Sequence, residues 1–237
     1  IYPPYCTGGV IDLGGLNTVT SDATDPFVMQ YADGFPLDQV AWGRLPLEAL
    51  SRQTRLNTLQ MNIAMRSPYL NKVQSSNAAS HVLRTLEQAV TGDDVPGAFG
   101  GPQARSVVII SSDFYVTGLA GLLQAHWKLP GYQPDFVGPG GALVFELRRV
   151  RRTGAYIVRV FFTGQTLNQL RHLTRLTLDN PPATKQLLIP GGSKSATNLD
   201  VNFRTFQRLM RKAIDPKYVQ NPDVEVPPGV IENVPLQ

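Results

Sequence analysis

One cysteine, Cys6, and three histidines, His81, His126 and His172, supply all the thiol and imidazole in this 237-residue sequence. A lone thiol excludes a thiolate zinc centre, and the carboxylates and histidines are too scattered to spell a metal-ligand run. No metal or cofactor is expected. Cys6 has no histidine near it in sequence, which argues against a catalytic thiol. In an exported protein a leftover cysteine leads instead to the expectation of a bond to another chain. Charge is also scarce, at 17% of residues, and the net +4 is mild. No basic run interleaves with aromatics, so nucleic acid is not an expected partner; Arg148, Arg149, Arg151 and Arg152 read as a solvated strand end and turn. No apolar stretch approaches the roughly 20 residues that cross a membrane. The Gly-x-Ser-x-Gly elbow of serine hydrolases is missing too. Ile1 is no initiator methionine and no leader is legible, so a processed chain is expected. Ile1 also excludes a self-cleaving amidohydrolase, whose new N-terminus is Ser, Thr or Cys.

What the sequence does contain is concentrated between Ala104 and Glu146. Ser106 to Ile110 is a short β-branched apolar run, the pattern of a strand buried on both faces. Ser111-Ser112-Asp113 ends it, and Val116, Leu119, Ala120 and Leu123 then recur at helical spacing. Strand, tight polar turn and helix form the unit whose turn gathers ligands in open α/β sheets, because free helix N–H groups favour anions there. Ser112 and Asp113 occupy that turn. An acid role for Asp113 asks for burial or a neighbouring anion, since a helix N-terminus favours the ionised form. A plain helix N-cap is the competing role.

Around this unit the periodicity is mostly helical. Phe27, Val28 and Tyr31 predict a short helix capped by Asp25, with Pro26 at its first position and Gly34 ending it. Leu47, Leu50, Leu56, Leu59 and Ile63 predict a second through Arg66, stopped by Pro68, with Arg52 and Arg55 on its polar side. A third is expected from a Ser76 cap, with Val82, Leu83, Leu86 and Val90 inward and Gly92 past its end. His81 on that helix reads as structural. Ala142–Arg148 and Ala155–Phe162 predict a hairpin turning at Gly154. A short helix over 166–175, a strand over 185–189 and a last helix capped by Asp200, with Phe203, Phe206 and Met210 on one face, complete the expected elements.

The residues from 104 onward resemble the second half of the histidine acid phosphatase family, in its bacterial phytase and glucose-1-phosphatase branch. The match runs through Ser112-Asp113, Leu119-Ala120-Gly121-Leu122-Leu123, Trp127-Lys128-Leu129-Pro130-Gly131, Pro139-Gly140-Gly141 and Leu143-Val144-Phe145-Glu146. It extends upstream through Trp42-Gly43-Arg44 and covers roughly residues 10 to 214. Two features depart from the family pattern. The histidine of the family's His-Asp pair falls on Ser112, and the Thr-Asn that follow fall on Phe114 and Tyr115. The Arg-His-Gly-x-Arg-x-Pro run that carries the nucleophilic histidine is absent from this sequence.

The resemblance implies an α/β fold, with a mixed sheet sandwiched by helices and a smaller helical domain, of which this chain is the C-terminal half. It makes 16–75 part of a helical cap and 76–214 the α/β part, while glycine and proline content alone mark an irregular opening over 1–15 and a proline-rich tail over 215–237. It implies an exported, periplasmic or secreted, phosphomonoester hydrolase acting on a small phosphorylated substrate. The nucleophilic histidine is then expected from an N-terminal half present as a separate chain, joined through Cys6. Asp113 is the implied proton donor and Ser112 an altered phosphate contact. Asp25, Arg55, Asn57, Phe114 and Tyr115 are expected on the substrate side. Two other functions stay open: a catalytically silent relative that binds a ligand in the same cleft, and a hydrolase or transferase acting on a non-phosphate bond through Ser112.

Overall fold

A computed structural model describes residues 5–7, 10–12 and 16–220. Strands β1 (Tyr5–Thr7) and β2 (Val10–Asp12) pair antiparallel, Cys6 opposite Ile11. The opening is therefore not irregular throughout. The Cys6 side chain, with its expected interchain bond, lies outside the described residues, as does the tail over 221–237.

Helix α1 (Leu16–Ala32) begins well before its expected cap, and Pro26 sits inside it. Asp25 is consequently a mid-helix residue. The earlier turns escaped the periodicity because Ser21 and Thr24 are buried there, with the Thr24 hydroxyl donating to the Ser21 carbonyl at 2.8 Å. Helix α2 (Leu47–Arg66) has its expected ends but a rotated face. Leu50, Thr54, Thr58, Met61 and Met65 point inward, whereas Leu59 and Ile63 are 48% and 40% exposed. Thr54 and Thr58 can be buried because their hydroxyls donate to the Ser51 and Thr54 carbonyls, at 2.7 and 3.0 Å. A buried hydroxyl satisfied by its own helix costs little.

Helix α3 (Pro68–Thr91) follows after Ser67 alone and starts a full two turns before the expected Ser76 cap. Proline suits the first helical position, where no N–H is needed. Ser76 is a buried interior residue whose Oγ accepts from the Asp215 backbone N–H at 2.9 Å. Gly92, at φ +78°, closes the helix as expected. His81 is structural: its Nδ1 lies 2.6 Å from the Gly97 carbonyl and its ring stacks on Phe99.

The largest departure comes next. Residues 106–110 form no strand. No hydrogen bond engages their backbone, and their side chains lie open to solvent. Helix α4 (Asp113–Leu122) then starts where expected.

The hairpin is β3 (Ala142–Arg149) and β4 (Tyr156–Gly164), paired with Leu143 opposite Phe162. Helix α5 (Leu167–Arg171) carries a full capping box from Thr166 and Gln169. Strands β5 (Ala183–Gln186) and β6 (Val201–Asn202) both pair antiparallel with β4, so β3 is an edge with no outer partner among the described residues. Helix α6 (Phe203–Ala213) is capped by Asn202, whose side chain accepts from the Arg204 N–H. The expected cap, Asp200, is instead held by Arg159 through two bonds of 2.6 and 2.9 Å. A bidentate guanidinium is the stronger partner for a carboxylate.

Phe162, Phe206, Val158, Val160, Leu187, Ile189 and Met210 are almost fully enclosed between the sheet and its helices. Each such side chain contributes about 1.5–3 kcal/mol of burial. This core fixes the platform on which α4 stands. No described helix is long and apolar enough to cross a membrane.

Candidate active site

Helix α4 is held close to its neighbours by small residues. A Cβ added at Gly118 meets Ser75 Oγ at 2.1 Å and Met65 Cε at 3.1 Å. Asn71 of α3 donates through Nδ2 to the Gly118 carbonyl at 2.8 Å, a buried bond that ties α4 to α3. With its middle fixed in this way, its first turn faces a cavity of about 350 Å³.

Four helices and one turn build that cavity. Asp25 comes from α1, Asn57 from α2, Ser111 and Asp113 from the start of α4, and Leu170 from α5. The opposite wall is the segment from Phe136 to Gly141, where the Gly141 N–H closes a turn onto the Gly138 carbonyl at 2.9 Å. Gly140 there takes φ +68°, a conformation that favours glycine. Val28, Val116 and Val137 make the remaining surface apolar. The lining holds two carboxylates and no cation.

Asn57 Nδ2 donates to Asp25 Oδ2 at 3.2 Å. Burial pushes the Asp25 carboxyl above its ordinary range, the Asn57 bond opposes that, and the charges of Asp22 and Asp113 push it up further. Asp25 and Asp113 thus line the same cavity. Asp113 Oδ1 accepts from the Phe114 N–H at 3.0 Å. Ser112 holds the N-cap position by its backbone, yet its hydroxyl makes no capping bond and is exposed. Asp113 is accordingly the first helical residue and not the cap.

The other expected residues stand apart from the cavity. Phe114 and Tyr115 are about half exposed on the outer side of the first turn. Arg55 faces solvent, two residues before Asn57. Conversely, the wall from Phe136 to Gly141 was not among the expected site residues. The Pro139-Gly140-Gly141 turn was visible in the sequence, but nothing local tells that it folds back against Asp113. A second hollow of similar size lies among Tyr31, Asp38, Val40 and Leu50. It contains a single carboxylate and none of the expected residues, so the chemistry points to the first.

No family-wide sequence profile matches this chain. Phytase AppA of Escherichia coli (strain K12) is 31% identical over 184 residues, which are 76% of this chain and 41% of that protein. Glucose-1-phosphatase of Providencia rettgeri is 25% identical over 203 residues, 86% of this chain and 46% of the relative. Among solved structures, Hafnia alvei phytase in complex with tartrate superposes with a TM-score of 0.80 at 29% identity. That match covers 92% of this chain and 53% of the phytase. The chain thus spans about half the length of the relatives it matches.

Proposed function

Because this chain belongs to the histidine acid phosphatase family, we propose that the complete protein hydrolyses phosphate monoesters, with Asp113 as its proton donor. The observation that carries this reading is the cavity itself. It gathers Asp113, Asp25 and Asn57 at a helix N-terminus and offers no cation of its own. Two carboxylates alone repel a phosphate dianion. They suit the proton-transfer side of a site whose arginines and nucleophilic histidine come from the N-terminal half, carried on a separate chain.

In that arrangement the histidine attacks phosphorus, the P–O bond to the leaving alcohol breaks, and Asp113 gives its proton to the departing oxygen. The Asp113 carboxylate then takes a proton from the water that attacks the phosphohistidine, releasing phosphate and restoring both groups. Splitting the displacement in two lowers each barrier, and a positioned acid contributes about 10²–10⁴-fold. Ser112 offers the phosphate a neutral hydrogen bond where the family has an imidazole. The lost charge assistance is about 1.5–3 kcal/mol, or about ten- to a hundredfold in rate. Asp25 and Asn57 hold the substrate's alcohol side, and Arg55, Phe114 and Tyr115 lie beside the approach to it. An exported location, periplasmic or secreted, goes with this reading, as does a Cys6 bond to the companion chain.

The complete protein is expected to release p-nitrophenol from p-nitrophenyl phosphate at acid pH, and Asp113→Asn to slow it about 10²–10⁴-fold. Wild-type protein that releases none ends the enzymatic reading. The exposed Ser112 hydroxyl, standing where the family has histidine, favours one alternative, a silent relative that keeps the ligand. Calorimetric binding of a phosphate ester without turnover would identify it.

A further inference from the structure

The wall that this chain gives to the cavity has a chemistry that selects among substrates. Val28, Met29, Ala32, Val116, Val137 and Leu170 make most of it apolar. Its polar side chains are Ser111, Asn57 and the two carboxylates, and Asn57 is already bonded to Asp25 at 3.2 Å. Asp25 also feels the negative charges of Asp22 and Asp113. Arg171 follows Leu170 in the sequence, yet its guanidinium is taken up at the end of α1. Nη1 donates to the Tyr31 carbonyl at 2.7 Å and Nη2 to the Phe35 carbonyl at 2.9 Å, and the group lies 4.6 Å over the Tyr31 ring. Arg55, two residues before Asn57, faces solvent. Among the described residues, the wall therefore presents hydrocarbon and negative charge.

From this we infer that the site selects singly phosphorylated ligands whose alcohol is uncharged and largely apolar, and discriminates against esters that carry a second phosphate. The inference rests on the phosphatase reading, in which the companion half holds the transferring phosphate and this half meets the rest of the molecule. A second phosphate on that alcohol enters the space beside Asp25 and Asp113. Like charges a few ångströms apart repel strongly in a partly enclosed site, and no cation of this wall offsets them. A polyhydroxylated alcohol is also poorly served. Each hydroxyl leaves its water partners, and a hydrocarbon wall gives none in return. An aryl or alkyl alcohol has no such loss and gains from every methylene it buries. At about 350 Å³ the cavity is at the small end of ligand pockets, which run from roughly 300 to 1,000 Å³. That space suits a single apolar ring better than a large polyanion.

Matched esters test this on the complete protein. Benzyl phosphate, benzenedimethanol bisphosphate and glucose 6-phosphate are all esters of primary alcohols, so the bond that breaks is the same in each. At acid pH, kcat/KM is expected to be about tenfold or more higher for benzyl phosphate than for either of the others. Calorimetry with the uncleavable benzylphosphonate and xylylenediphosphonate should give the same order in Kd. Met29→Lys puts a cation on the wall at a position 65% exposed, where a long side chain fits. It should narrow the gap between mono- and bis-ester about tenfold, and Leu170→Lys should act in the same direction. A gap that neither lysine narrows overturns the inference. So does a bisphosphate or glucose 6-phosphate that is bound and cleaved as well as benzyl phosphate, and that result leaves the phosphatase reading standing. Tighter binding of benzylphosphonate than of the diphosphonate, in a protein that cleaves none of the esters, keeps the selectivity and removes the phosphatase reading. A protein that neither binds nor cleaves any of them ends both.

Discussion

At the scale of single residues, the cavity depends on where Asp25 sits. Its folded-state pKa is raised, first by burial, so the native state binds the proton more tightly than the unfolded chain. Stability is then unaffected below the ordinary carboxyl pKa of 3.8 and falls as pH rises through the raised value. Asp25→Asn keeps an oxygen to accept from Asn57 and removes the buried charge. We expect this variant to melt at the same temperature as wild type near pH 3 and at a higher one near pH 7. An unchanged difference between the two pH values would show that Asp25 is better solvated than its position implies. Ser112 is the other informative residue. Ser112→His should raise turnover about ten- to a hundredfold, measured as kcat on a phosphate ester at acid pH. No gain would separate that side chain from the phosphate. Ser112 was singled out by its turn and Asp25 by the family pattern, although Ser111 and Asp113 line the cavity and Ser112 does not. The Asp25–Asn57 bond was not legible, because it joins two helices across 32 residues.

At the scale of elements, the outcome followed how each one is satisfied. Strand β4 and helix α4 were readable because the alternation of β4 and the Ala120 side of the α4 stripe are buried as the pattern says. The first half of α1 and the inward face of α2 were missed because Ser21, Thr24, Thr54 and Thr58 take buried places usually held by apolar side chains. Their hydroxyls can do so by bonding within the helix, which no hydropathy pattern reveals. The stripe through Leu59 and Ile63 was a true periodicity on the wrong face. Helix α4 itself allows a sharp test. Gly118→Ala drives a methyl into Ser75 and Met65, and overpacking of this kind costs about 1–3 kcal/mol. A lower urea midpoint is expected, together with reduced turnover, since the displaced helix carries Asp113. Full activity with lowered stability would show that the first turn is positioned independently of the helix middle.

At the scale of the molecule, one buried network joins the helices to the sheet. Asp135 accepts from the Trp127 N–H at 3.0 Å and lies 2.6 Å from His126 Nδ1, with Arg66 of α2 at 3.7 Å. Arg66 in turn stands over the Trp127 ring, which stacks on Phe162 of β4 at 4.2 Å. Asp135→Ala leaves the buried Arg66 charge without its carboxylate and should cost about 3–5 kcal/mol in chemical denaturation. Asp135→Asn keeps the acceptor, tolerates the φ of +64° and should cost less. Equal losses would mean that the charge plays no part.

The sequence alone determined the order of most elements, the start of helix α4 and the identity of the polar residues that lead into it. These rest on local spacing and on side chains a few residues apart. Only the tertiary structure decided which face of α2 turns inward, that Asp200 serves Arg159 and not a helix end, and that the Gly138–Gly141 turn closes the cavity opposite Asp113. It also left the apolar run at 106–110 bare. The reason is the same in each case: burial is conferred by whatever packs alongside, and a segment's own pattern states only what it is suited to meet.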